Sequence, residues 1–347
     1  MTRRIRFLLV AAILVSGCLL VACSKAAVRP AQPQSTVTGY AARPEVRQFI
    51  ARLVKQDGFD KTWLEKTLAT ARMRDAVLAA ITKPYEAKPW YQYRALFVNP
   101  ARVTAGVAFW DTHSALLDKA QSVYGVPRSL IVAILGVESF YGRQKGGYRV
   151  LDALATLSFD YPPRASFFQG ELEQYLLLCR EQSFDPSALT GSYAGAMGVP
   201  QFMPDSYRKY AVAFDGRGRP DIWNNWADII GSVANYFHAH GWRKDGLVAV
   251  PASLPAVAAQ ASTALAPTTV GALREQGLVV SSGLTDDTRA ILVPLQLEHG
   301  TEYWVGLHNF RVITRYNRSP LYAMAVIDLS TRIADARAAE QGRHAPP

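Results

Sequence analysis

Apolar residues recur at three- and four-residue steps along much of the chain, which predicts helices over 46–55, 62–71, 73–81, 103–124, 166–181, 226–240 and 321–337. A further helix is predicted after Pro127, with apolar Leu130, Ile131, Ile134 and Leu135 inside it and Gly142 past its end. Ile131, Ile134 and Glu138 fall on one stripe of that helix, so a carboxylate points where hydrocarbon belongs. Between 246 and 312 the texture changes to short β-prone runs, 291–297 and 303–312, separated by Gly and turn residues. The pattern predicts a mainly helical protein of the α+β kind with a small β-rich part and no internal repeat. The Ala-rich stretch 247–267 is broken by Pro251, Pro255 and Pro267 and does not read as a membrane span.

The amino terminus follows a different logic. Arg3, Arg4 and Arg6 precede an apolar run over 7–21, and polar residues take over from Ser24, the arrangement of a secretory signal. Cys18 and Cys23 each follow small or aliphatic residues that suit lipoprotein cleavage. Cutting before Cys18 would strand apolar residues 19–22 on the mature protein, so Cys23 is the expected lipidated residue; ordinary secretion and an uncleaved anchor are the alternatives. Ser24 rather than Asp follows it, which implies outer-membrane sorting. Residues 1–22 then form the signal peptide, and 23–44 a lipidated, flexible tether containing Pro30, Gln32, Pro33 and Gln34, with folding starting near Glu45.

Composition refines this picture in two places. Of 347 residues, 49% are hydrophobic and 19% charged, enough for a large core and two or three subdomains. After the signal only Cys179 remains, in an apolar run, so it is expected as a core thiol with no disulfide to form. The net charge is +10, falling by three to +7 without the leader arginines, which suits anionic surfaces such as the acidic stem peptides of a cell wall. No basic helix, finger or aromatic-basic strand points to nucleic acid.

The candidate chemistry centres on Glu138. At the end of an apolar helix a carboxylate loses solvation and feels the negative end of the helix dipole; both favour the protonated form and describe a general acid. A solvated helix-end Glu paired with Arg143 fits the same segment. Residues 192–204 combine Gly and Ala, which permit close backbone approach, with the polar groups of Ser192 and Gln201 beside Met197, Phe202 and Met203. That mixture suits a sugar ring, although a tightly packed helix pair explains the glycines too. Two more clusters, 152–164 followed by Phe167 and Phe168, and 314–322, offer rings for stacking and Arg or Asn for acetamido and carboxylate groups. Asp152, Asp160, Glu171 and Glu173 read as structural, and His238, His240 and His308 lack the spacing of a zinc site.

The motifs GVESFYG (136–142), DALATLSFDYPPRA (152–165), GSYAGAMGVPQFMP (191–204), IGSVANYFHAHGW (230–242) and WVGLHNFRVITRYNRSPLYAMAV (304–326) strongly resemble the membrane-bound lytic murein transglycosylase B family over roughly 45–337. The resemblance implies a lysozyme-like helical catalytic core, 111–245, with a helical subdomain, 45–110, and a small β-rich subdomain, 246–312, around a deep groove. Residues 313–340 would close it and 341–347 form a disordered tail. Glu138 then stands at the family's single catalytic acid/base and Ser192 at the hydroxyl that orients it. Gln201, Arg164, Phe167, Tyr93, Tyr236, Tyr316, Asn317 and Tyr322 stand at groove positions; Phe167 replaces a Tyr common among relatives.

The implied activity is cleavage of the β-1,4 bond between N-acetylmuramic acid and N-acetylglucosamine with 1,6-anhydro ends. A hydrolytic muramidase and a noncatalytic wall-binding lipoprotein are the rivals. The implied partners are peptidoglycan glycan strands, the outer membrane through the lipid, and cell-wall synthesis or division proteins. Some relatives carry an EF-hand-like calcium loop where this chain has Asp215 to Asp221; Arg217 and Arg219 put cations where oxygen ligands are needed, so neither calcium nor any other cofactor or metal is expected.

Overall fold

Val46, Phe49, Ile50 and Leu53 are all buried, and their spacing makes Pro44–Asp57 an amphipathic first helix, α1, opened by Pro44 and ended by left-handed Gly58 at φ 65°. The computed structural model describes residues 39–82, 88–255, 267–280 and 283–344. The leader, Cys18, Cys23, most of the tether, the middle of the Ala-rich stretch and residues 345–347 lie outside them.

Next come α2 (Lys61–Ala69), α3 (Asp75–Ile81), α4 (Trp90–Phe97), α5 (Pro100–Thr112), α6 (Ser114–Tyr124) and α7 (Arg128–Ser139). Strand β1 (Tyr148–Arg149) leads into α8 (Val150–Phe159), α9 (Ala165–Gln182), β2 (Thr190–Gly191), α10 (Pro204–Tyr210) and α11 (Trp226–Ala239). The remainder is β3 (Ala249–Ser253), β4 (Thr268–Thr269), α12 (Val270–Glu275), β5 (Val279–Val280), β6 (Arg289–Gln296), β7 (Thr301–Gly306), α13 (His308–Tyr316) and α14 (Pro320–His344). The small sheet has the antiparallel order β4-β6-β7-β3-β5. A mainly helical fold with one small β-rich part is therefore what forms.

The elements depart from the sequence reading where local pattern misleads. The span 103–124 is two helices, broken at His113, whose ring contacts Phe109 at 4.5 Å and Trp226 at 5.1 Å. No Pro or Gly marks that break. Residues 303–312 are only half strand: β7 ends at Gly306, and Phe310, Val312 and Ile313 are buried on α13. Phe310 and Val312 alternate like a strand, but the Phe310–Ile313 step is helical, and any side chain at Gly306 would meet the Phe310 ring at 2.7 Å.

Ordered structure also begins before Glu45. Gly39–Ala42 forms a 3-10 turn with Tyr40 and Ala41 buried; the Tyr40 hydroxyl donates to Asp160, and Arg43 pairs with Asp160 at 2.7 Å. At the other end α14 continues to His344, beyond the expected start of a disordered tail.

The core divides across the expected subdomain boundaries. One cluster joins α4–α7 with α11, α13, α14 and part of β6; a second joins α1–α3 with α8, α9 and the 197–222 loop region. The 45–110 segment is thus shared between two cores. Fully buried Asp152, in the first turn of α8, ties the loop before α3 to it, accepting from Arg72 N at 3.1 Å and Arg74 Nε at 2.9 Å and pairing with Arg149 at 3.2 Å. Cys179 is buried in the second core, and burial pushes its thiol up to about 12, consistent with a packing role.

Candidate active site

Helix α7 runs through the first core with every residue from Leu130 to Val137 buried, and each buried Leu or Ile there contributes about 1.5–3 kcal/mol. Such a helix holds its last turn, and Glu138 with it, against displacement. The chain then takes three consecutive left-handed residues, Phe140, Tyr141 and Gly142, at φ 49°, 56° and 83°. The helix therefore stops at Phe140, and Gly142 is the third member of the turn, not its start. Left-handed backbone at Phe140 and Tyr141 costs roughly 1–2 kcal/mol each.

Tertiary contacts offset that strain. Tyr141 stacks on Phe109 at 5.5 Å and donates to Arg102 O at 2.8 Å, in space left by Gly106 and Gly136, where a Cβ would come within 2.5 and 2.6 Å of its hydroxyl. The buried Arg102 guanidinium donates to Gly136 O at 3.0 Å and covers the Phe140 ring at 4.8 Å. A cation thus closes the carbonyl end of the helix that carries Glu138. Arg143 lies over the other side of that turn, 4.9 Å from the Phe140 ring.

Glu138 is half-buried, and Tyr322 from α14, 184 residues away, donates to its Oε1 at 2.5 Å. Tyr322 stacks parallel to Tyr316 (6.5 Å, 11°), Tyr316 donates to Pro200 O at 2.6 Å, and Tyr236 packs on Tyr316 at 4.7 Å and donates to Arg315 O at 2.7 Å. Burial first, then the Glu138 charge, push the hydroxyls of Tyr316 and Tyr322 well above the usual phenol value; Tyr236 rises mainly through burial. All three phenols remain neutral donors at any physiological pH.

The Tyr316 and Tyr236 side of this cluster forms the wall of a groove of about 980 Å³, which also gathers Arg164, Phe167, Gln201 and Asn317. Arg164 lies over Phe167 at 4.5 Å, and Phe167 is 43% exposed, a ring edge offered to the groove. Gln201, itself left-handed at φ 54°, donates through Nε2 to Gly198 O (2.7 Å) and Lys145 O (3.2 Å), which leaves Oε1 as its remaining polar atom. Asn317 Oδ1 accepts from Ser319 N at 3.0 Å.

Tyr93 and Tyr322, expected at groove positions, are buried, 1% and 2% exposed, and do not line this groove. Ser192 Oγ accepts from Ala194 N (3.2 Å) and Ala196 N (3.1 Å), folding its own loop and keeping its proton to donate. The glycines of this loop serve backbone packing, with Gly191 against Ala196 O and Gly195 against Leu154; no helix pair is involved.

The sequence reading missed the acidic side of the groove. Glu171, read as structural, lines it together with Asp205. Its Oε2 accepts from Asp205 N at 3.2 Å, capping α10, and burial followed by the Asp205 charge pushes its carboxyl up to about 7. The folded carboxyl keeps its proton up to about pH 7, whereas an unfolded Glu loses it near the ordinary value. Its stabilising contribution is therefore complete below about pH 4.5 and lost as pH rises through 7, roughly 3 kcal/mol in all. Glu171→Gln is expected to flatten the dependence of the urea midpoint between pH 5 and 8; an unchanged slope would assign it to other groups.

Carboxylates in the 214–225 loop and in the first turn of α11 accept from N–H groups. Asp215 accepts from Arg217 N (2.9 Å) and Asn225 Nδ2 (3.1 Å), Asp221 from Trp223 N (2.9 Å) and Asn224 N (3.0 Å), and Asp228 from Phe214 N (2.7 Å) and Asp221 N (2.9 Å). With Arg217 3.5 Å from Asp215, this donor set does not fit a calcium ion. Among the described residues no group of three His, Cys, Asp or Glu could hold a metal.

Comparison with known proteins gives the family. The transglycosylase SLT domain matches residues 41–331. Membrane-bound lytic murein transglycosylase B of Escherichia coli K12 is 44% identical over 310 residues, covering 86% of this chain and 85% of that protein. The structure of lytic transglycosylase SltB1 from Pseudomonas aeruginosa superposes with a TM-score of 0.81 at 48% identity, covering 86% of this chain and all of that one. Escherichia coli lytic transglycosylase Slt35, solved in complex with bulgecin A and in complex with calcium, gives 0.80 at 44% identity, covering 88% and 99%. A helical core whose half-buried glutamate is held by Tyr322 behind a tyrosine-lined groove, matched in sequence and shape over 86% of the chain, places this protein in the transglycosylase SLT family, among the lytic murein transglycosylases.

Proposed function

We propose that this enzyme cleaves the β-1,4 bond between N-acetylmuramic acid and N-acetylglucosamine through Glu138 alone. The observation that carries this is the position of Glu138, fixed at the end of a buried helix and by Tyr322, whose ring stacks on the groove-lining Tyr316. Glu138 donates its proton to the glycosidic oxygen as the C1–O bond breaks, and the muramic 2-acetamido group assists departure. The same carboxylate then removes the proton from the muramic 6-hydroxyl while the C1–O6 bond forms, giving the 1,6-anhydro end and returning the proton to Glu138. Tyr322 holds the carboxylate, and Ser192 folds its own loop while keeping a hydroxyl proton to donate.

Hydrolysis would call for a second carboxylate across the cleft to activate water. Glu171 and Asp205 line the groove and are the carboxyl groups such a scheme would have to use. Mass spectrometry of products from purified sacculi decides between the schemes, because anhydro and reducing ends differ by one water; reducing ends would overturn the proposal.

Metal independence is part of this reading. Millimolar calcium is expected to leave the melting temperature unchanged, since a ligand stabilises only by binding the native state. A saturable rise on adding calcium would contradict it.

Among the described residues no single helix is long and apolar enough to cross a membrane. The relative from Escherichia coli is membrane-bound, and lipidation of Cys23, with the enzyme facing the periplasm from the outer membrane, would supply the attachment here. Cys23→Ala is expected to move the protein from the membrane to the soluble fraction with its activity intact. Retention in the membrane fraction would point to Cys18 or to an uncleaved anchor.

A further inference from the structure

The groove does not end at Tyr236. A second cavity, of about 720 Å³, shares His240, Arg311 and Arg315 with it and continues between α13 and the sheet as far as Arg243 and Arg289. Four arginines line this space, and its one acidic lining residue, Asp287, accepts a hydrogen bond from Thr285. Among the described residues none of the four forms an ion pair, whereas Arg43, Arg74, Arg94 and Arg208 each sit on a carboxylate. Like charges gathered around one cavity repel, and an anion relieves that repulsion. Arginine's planar fork matches a carboxylate or a phosphate.

The occupant follows from where the cavity opens. A glycan strand in the groove is uncharged along its sugars, but each muramic residue carries a peptide with several carboxylates. An extended peptide advances about 3.3–3.6 Å per residue, so a few residues hanging from the strand reach past the shared His240, Arg311 and Arg315 edge. We propose that this cavity docks the anionic stem peptide of the strand being cleaved. The proposal rests on the groove being the glycan site.

Arg243 and Arg289 line only the distal cavity, and both are exposed. The contacts of Asn309 with Arg243 are to backbone atoms and survive substitution. The double variant Arg243→Gln/Arg289→Gln is therefore compared with the wild type on peptide-bearing glycan strands and on strands stripped by an amidase. It is expected to lose about five- to tenfold in kcat/KM on the first and to match the wild type on the second. Arg243→Lys/Arg289→Lys is expected to recover most of the loss.

Binding is measured separately by titrating the tetrapeptide L-Ala-γ-D-Glu-meso-diaminopimelate-D-Ala into each protein at low and high salt. Salt-sensitive binding by the wild type that the Gln variant lacks supports the proposal, even if neither strand is cleaved, an outcome that would strike the catalytic reading alone. Equal losses on both strands, no tetrapeptide binding by the wild type, or binding of phosphatidylglycerol vesicles in its place would overturn it.

Discussion

Glu138→Gln is expected to lower release of anhydro-muropeptides from purified sacculi by about two to four orders of magnitude. The amide keeps the shape of the carboxyl but neither gives up a proton to the leaving oxygen nor accepts one from the 6-hydroxyl. Tyr322 can still donate to its carbonyl oxygen, and the rest of the groove is untouched, so binding of sacculi should survive. Separating the two readouts excludes a folding defect. Near wild-type release by Glu138→Gln would mean that another group moves the proton.

Tyr322→Phe should have the second largest effect. It removes the 2.5 Å hydrogen bond to Glu138 and leaves the ring stacked on Tyr316. A hydrogen bond to a charged partner contributes about 1.5–3 kcal/mol, which corresponds to a loss of about ten- to a hundredfold if it acts on the proton-transfer step. That loss should fall on kcat rather than KM, since the buried hydroxyl is not presented to the groove surface. Ser192→Ala should cost less, because it loosens a loop held by two backbone N–H bonds. In a Glu138→Gln background Tyr322→Phe should add little, since the two act as one unit. Fully additive losses would show that Tyr322 works independently of Glu138.

The arrangement also explains why the turn after Glu138 tolerates backbone that most residues avoid. Phe140 and Tyr141 are left-handed because their rings and the Tyr141 hydroxyl find partners on Phe109 and Arg102. Nothing in the local spelling of residues 138–142 announces Arg102, which lies 34 residues before the Gly136 carbonyl it closes.

The amino-acid sequence by itself determined most of the helices, because burial on one face of a helix imprints a three- and four-residue period that needs no knowledge of the partner. It also singled out Glu138, since a carboxylate on an apolar stripe breaks that period, and the aromatic and small-residue motifs that meet in the groove. The tertiary structure alone decided the break at His113, the helical continuation after Gly306, the sharing of the amino-terminal segment between two cores, and the placing of Glu171 in the groove. It alone joined Glu138 to Tyr322 and turned scattered arginines into one basic cavity. Periodicity reports how each residue meets its immediate neighbours. Pairings across tens to hundreds of residues, and the desolvation that raises the carboxyl of Glu171, exist only once the chain has brought its elements together.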